Sequence, residues 1–312
     1  EGIAALLGSP HLEALSLLEL SGNQVGDRGA LALAQGARLG QLEVLLLAGC
    51  LLGSRGLQGL LREPALASLR ELDLSGNGLG REDAQALASC PHLAGLRALG
   101  LAENRLPRAG GEALAQSPHL GALSSLNLDA AYIGAEGLAA LAQSERMGQL
   151  HTLNLVDNDL GSQGLAALAR SPHLGRLRHL RLNGDTFSAQ AIDALAAASL
   201  PALESLQMTR CGINRAAAAS LAAAPWLPQL RALNLSENSL YDQGLEPLLQ
   251  AAAARPWRRM ESLELRLNRL TDVGGARLAT SPGLPRQVQH AWSSFRAAQE
   301  AWYYSRYDAT WE

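Results

Sequence analysis

The chain has 312 residues, 47% of them hydrophobic, and a formal net charge of −3. That balance supplies no global field to draw it to nucleic acid or anionic lipid. It contains no lysine, so a Schiff-base lysine or a phosphate-loop lysine is excluded, and no apolar run is long enough to span a bilayer.

The elements recur on a clock. A polar or small residue closes the frame L-x-x-L-x-L-x-x-[N/C]-x-L at Asn23, Cys50, Asn77, Asn104, Ala131, Asn158, Asp185, Cys211, Asn238 and Asn268. The spacing is 27 residues six times, then 26, 27 and 30. A second column runs in step through Leu6, Leu33, Leu60, Leu87, Leu114, Leu141, Leu168, Leu195, Leu221, Leu248 and Leu278. A period of this length marks a solenoid, in which each unit buries its apolar face only by stacking on the next.

The chain opens inside a unit: Gly2 and Leu6 align one period before Gly29 and Leu33. A piece of a longer protein is therefore expected, with a solenoid of about ten coils over 1–285. Each period has two halves. Leu72 and Leu74 alternate with Glu71, Asp73 and Ser75, which predicts a strand buried on one face. Leu165, Leu168 and Ala169 form an i, i+3, i+4 stripe, which predicts a helix. Joints such as Ser171-Pro172-His173-Leu174 should end each helix, since Pro lacks the N–H to continue it. Strands about 4.8 Å apart on one side and helices roughly 8–10 Å apart on the other predict an arc, with a parallel sheet inside and helices outside.

This frame, with its long helical second half, resembles the leucine-rich-repeat superfamily. The G-x-x-G-[AL]-x-A-L-A helix of the 27-residue unit is most similar to the ribonuclease-inhibitor-like class, and the Ser-Pro-His-Leu joint resembles repeat arrays of bacterial proteins from high-GC genomes. The resemblance implies an α/β curved solenoid, or horseshoe, and a protein-recognition scaffold.

An inward Asn can bridge coils, because its amide carries two donors and an acceptor for backbone groups that would otherwise be buried unpaired. Cys50 and Cys211 should be buried thiols in the same role. Ala131 cannot hydrogen-bond through its side chain, so a weaker or water-filled rung is expected there. Asp185, together with the 26-residue period, should mark an irregular coil. Three extra residues in the last period, within 250–259, predict a longer helix or a bulged connection. An odd count of three cysteines without zinc spacing favours an intracellular, cytoplasmic setting.

Residues 286–312 leave the clock and carry seven of the twelve aromatics. Trp292, Phe295, Trp302 and Tyr303 belong either to a C-terminal cap over the last coil or to an anchor for a partner or a second copy of the chain. On the inner wall, Leu17, Val44, Leu46 and Ala48 form an apolar patch, and Arg178, His179, Arg181 and Arg210 a basic one suited to an acidic segment of a partner. No catalytic elbow, phosphate loop or His-Glu-x-x-His is present. His11, His92, His119 and His173 repeat with the joint and read as structural. The expectation is a non-enzymatic protein-binding module with no cofactor, no metal, no nucleic acid and no membrane. One alternative is a GTPase-activating protein using loop arginines such as Arg28, Arg55 and Arg81; the other is a self-assembling structural module.

Overall fold

A computed structural model describes residues 15–35 and 40–293, the last two by backbone alone. The chain divides into two compact units between Arg181 and Leu182. That boundary lies in the coil where Asp185 replaces Asn and the period shortens to 26.

Among its described residues the first unit alternates strand and α-helix, with short 3-10 turns in several of the joints. Its strands are β1 (Leu17–Glu19), β2 (Val44–Leu46), β3 (Glu71–Asp73), β4 (Ala98–Gly100), β5 (Ser125–Asn127), β6 (Thr152–Asn154) and β7 (His179–Arg181). Its helices are α1 (Gly26–Gln35), α2 (Ser54–Leu61), α3 (Arg81–Ala88), α4 (Arg108–Gln116), α5 (Gly134–Gln143) and α6 (Gly161–Ala169). Each strand pairs in parallel with the next at a register of one period: Leu45 meets Leu72, Leu72 meets Leu99 and Leu99 meets Leu126. The second unit holds α7 (Ala189–Ala196), β8 (Ser205–Gln207), α8 (Arg215–Ala223), β9 (Ala232–Asn234), α9 (Tyr241–Ala254), β10 (Ser262–Glu264), α10 (Asp272–Thr280) and α11 (Arg286–Ser293). Its three strands are also parallel and in register.

The core lies between strand and helix. The central strand leucines, from Leu45 to Leu206, and the helix column from Leu33 to Leu278 are all buried. The proline joints end the helices as the sequence predicts: α3 stops at Ala88 before Cys90-Pro91, and α4 at Gln116 before Ser117-Pro118. Ser117 adds a reason beyond proline. Its hydroxyl donates to the Ala88 carbonyl at 2.6 Å and accepts from the His119 N–H at 3.1 Å, which joins two coils. Cys90 fills the same slot, and its thiol donates to the Leu61 carbonyl at 3.3 Å.

The amide column works as a ladder. Asn104 Oδ1 accepts from the backbone N–H of Asn77 and Leu79, at 3.1 and 2.9 Å, and its Nδ2 donates to the carbonyls of Leu74, Leu101 and Ala102. Asn238 repeats this in the second unit. At Cys50 and Cys211 the thiol donates across the coils, to Leu20 and Leu182, both at 3.1 Å. At Ala131, where a weaker rung was expected, main chain takes over part of the rung. The Ala131 carbonyl accepts the Leu106 N–H at 2.9 Å, and the residue is fully buried. The Cys211 carbonyl does the same for the Phe187 N–H at 3.2 Å.

The residue before each ladder position is left-handed in all ten coils. Gly fills it at 22, 49, 76 and 184, whereas Glu103, Ala130, Asp157, Arg210, Glu237 and Leu267 adopt φ between +48° and +58°. The tight turn out of the strand dictates the conformation even where no glycine is supplied. The extra residues of the last period lengthen a helix: α9 has 14 residues, against eight to ten in the other helices. Helix α11 follows the last repeat with Val288 buried, and Gln289 Nε2 donates to the Ser281 and Leu284 carbonyls.

Candidate functional site

Strand pleat separates core from surface here. In nine of the ten strands the central residue is buried and both neighbours are exposed or half-buried; in β6 Asn154 is buried as well. Because the register is one period per strand, the flanking side chains line up in columns. The wall thus runs Asp73, Gly100, Asn127, Asn154, Arg181 in the first unit, and Gln207, Asn234, Glu264 in the second.

In the first unit Leu17 pairs with Val44, and Glu19 with Leu46. Leu17 is 51% exposed, while Val44, Leu46 and Ala48 are half-buried. An apolar step therefore adjoins the polar part of the wall. Arg178, His179 and Arg181 are exposed on or beside β7, and the backbone N–H groups of Arg178 and His179 both donate to the His151 carbonyl. Arg181 faces an acidic row. Burial pushes the Asp129 carboxyl up, Arg181 and a hydrogen bond from Asn154 pull it down, and Asp157 and Glu103 push it up again. Arg210 belongs to the second unit. It sits in the left-handed turn after β8, and its guanidinium lies 3.7 Å from the Glu237 carboxylate. Trp292 lies on α11; Phe295, Trp302 and Tyr303 lie outside the described residues.

The remaining candidates are placed by the repeat. His92, His119 and His173 are half-buried at the joints, and no cluster of three metal-ligating side chains occurs among the described residues. All three cysteines are buried and free. Burial pushes the Cys50 and Cys90 thiols up, and pushes Cys211 up to about 12, which keeps it a protonated donor. Arg28, Arg55 and Arg81 are all exposed, in the first turns of helices, with Arg81 lying 3.6 Å from Glu82. No helix among the described residues is long and apolar enough to cross a membrane.

One cavity was not foreseen from the sequence. In the second unit a cavity of about 790 Å³ lies where α8 and α9 begin, lined by Arg215, Ala219, Leu240, Tyr241, Asp242 and Arg269 among others. Tyr241 is 44% exposed with φ +53°. A left-handed conformation costs an L-residue roughly 1–2 kcal/mol, and a bulky ring in it is an outlier. The signal was in the alignment: Tyr241 stands three residues after its ladder position, where Gly26, Gly134 and Gly161 stand in theirs.

Residues 8–34, 65–88, 150–169, 228–249 and 260–279 match the family model described as Leucine Rich repeat. No curated protein matches the chain. Solved structures similar to it include internalin C2 of Listeria monocytogenes, 21% identical with a TM-score of 0.44, over 65% of this chain and 81% of that one. An internalin F of the same organism is 19% identical with a TM-score of 0.38, over 91% of this chain and 92% of that one. The matched stretches are leucine-rich repeats, and the same unit of buried strand leucine, amide ladder and returning helix recurs in the coils between them.

Proposed function

We propose that the chain is a non-enzymatic protein-recognition module that binds a partner protein across its strand face. The observation that carries this reading is the in-register wall: coil after coil presents flanking side chains to solvent at fixed spacing, over a core of buried leucines. Such a surface is wide, rigid and free to vary without disturbing the fold. The 27-residue unit with a full helix supports assignment to the ribonuclease-inhibitor-like class. Three buried free thiols fit an intracellular setting. Contact would centre on Arg178, His179 and Arg181, which suit an acidic segment, with the Leu17, Val44 and Leu46 step as apolar support.

Site-specific photocrosslinking tests it. A benzoyl-phenylalanine placed at Asp73, Asn127 or Gln207 should give discrete adducts in cells producing the protein, and a probe at Gln85 on α3 should not. The double variant Arg178→Glu, Arg181→Glu should lose the same adducts. Equal adducts from wall and helix positions, or none from the wall, would sink the reading.

A further inference from the structure

We propose that the cavity at the start of α8 and α9 is a second recognition site, which takes a carboxylate-bearing, partly apolar peptide segment of a partner protein. It rests on the protein-recognition reading above but uses a different surface. Three independent features converge there. The first is a bulky residue held in a strained turn where other coils place glycine. Gly26, Gly134 and Gly161 make the corresponding turn with φ +57°, +67° and +54°, whereas this coil holds Tyr241 at φ +53° with its ring exposed. Strained bulky residues concentrate at binding sites, where the ring's position matters more than the turn's comfort.

The second is the pre-positioned cation. Arg269, itself left-handed at φ +57°, has its guanidinium carbon 5.4 Å from the Tyr241 ring centroid and donates a hydrogen bond to the Tyr241 hydroxyl. The stack immobilises the fork in advance, which lowers the cost of ordering it on binding. The third is the charge balance. Arg215 is exposed on the cavity lining and forms no ion pair among the described residues. The carboxylate on the lining, Asp242, keeps its charge while it accepts from the Thr271 N–H at 2.9 Å and from the Thr271 hydroxyl, so two arginines against one carboxylate leave the lining with a net charge of +1. The N–H groups of Ala216 and Ala217 are taken by Asn214 Oδ1, so the positive character comes from the two arginines rather than from the helix end. Ala219 and Leu240 supply an apolar floor beside them. Two arginines over aliphatic and aromatic carbon match an acidic residue adjoining a leucine-like one.

Fluorescence anisotropy on the full chain decides it, using a fluorescein-labelled decapeptide of alternating glutamate and leucine. Saturable binding should weaken at least tenfold in Arg215→Glu and in Arg269→Glu. It should weaken similarly in Tyr241→Gly, which relieves the turn and so cannot lose binding by unfolding. A glutamine-for-glutamate peptide should bind at least tenfold more weakly, and far-UV circular dichroism should match between variants. Undiminished binding in all three variants, or no saturable binding to the native chain, overturns the proposal. So does an oligothymidylate that binds as tightly and is lost in the same variants, since it would assign the cavity to phosphate. The double variant Arg178→Glu, Arg181→Glu separates the two surfaces. Loss of peptide there, with none in the cavity variants, removes the cavity site and leaves the strand-face reading standing.

Discussion

At the scale of single residues, the ladder explains why the Asn column exists and how far it tolerates exceptions. Asn104 accepts two backbone N–H groups and donates to three carbonyls, all within buried surroundings. Replacing it by Ala leaves several buried main-chain groups short of partners, and each such group costs on the order of 1–3 kcal/mol. Chemical denaturation should show Asn104→Ala destabilised by about 3 kcal/mol. Asn104→Cys should lose less, because a thiol restores one donor, as at Cys50. Equal losses would mean that the thiols bear no part of the ladder. Cys211 adds a pH dependence. Its folded thiol is pushed up to about 12 by burial, reinforced by Asp185, while an unfolded thiol ionises near 8.5. A group whose folded value is raised contributes stability that is whole below the unfolded value and is lost as pH climbs toward the folded one. Stability should therefore fall between about pH 8.5 and 12 more steeply in the native chain than in Cys211→Ser, whose hydroxyl keeps the donor without titrating. Superimposable pH profiles would contradict this.

At the scale of elements, the sequence made the strands, helices and joints legible because leucine spacing and proline placement act locally. The left-handed turns were not legible. Their conformation comes from the stacking of one coil on the next, and Glu103, Ala130 and Asp157 carry no letter that announces it. Tyr241 was missed although glycines hold its place in three other coils, because a lone aromatic reads as packing until its φ is known. Ala130→Gly removes a strained contact worth roughly 1–2 kcal/mol and gives back roughly 0.5–1 kcal/mol in chain entropy. Thermal unfolding should show a small gain, on the order of 0.5 kcal/mol. The helix layer offers the opposite case. A Cβ on Gly111 in α4 would lie 2.8 Å from the Gly137 Cα in α5, so the two backbones need glycine where they cross. Gly111→Ala should destabilise by about 1–3 kcal/mol despite the better helix propensity of Ala. Gly121→Ala, with nothing within 4 Å of the new Cβ, should be near neutral and serves as the control.

At the scale of the whole molecule, the repeat decides architecture and leaves recognition to whatever lies on its surfaces. The strand-face columns could be written down from the sequence, since pleat and period alone set them. The cavity could not, because it needs the starts of two helices and a neighbouring loop brought together in the second unit. A solenoid must also cover its last apolar face. Val288 of α11 is 2% exposed, Leu284 is 4% exposed, and Gln287 Nε2 donates to the Met260 carbonyl one period back. The helix therefore continues the core past the last repeat. A chain ending at Pro285 loses Val288 and uncovers Leu284 and Leu278, and burial of such a side chain contributes roughly 1.5–3 kcal/mol. That chain should melt at least 5 °C lower and show a higher apparent mass by light scattering, as the uncovered face finds other copies. Val288→Asp in the 312-residue chain should reproduce the shift in melting, because it places a charge at a buried position. If the shortened chain melts like the intact one and stays monomeric, the last repeat closes itself, and α11 is available for contacts beyond the fold.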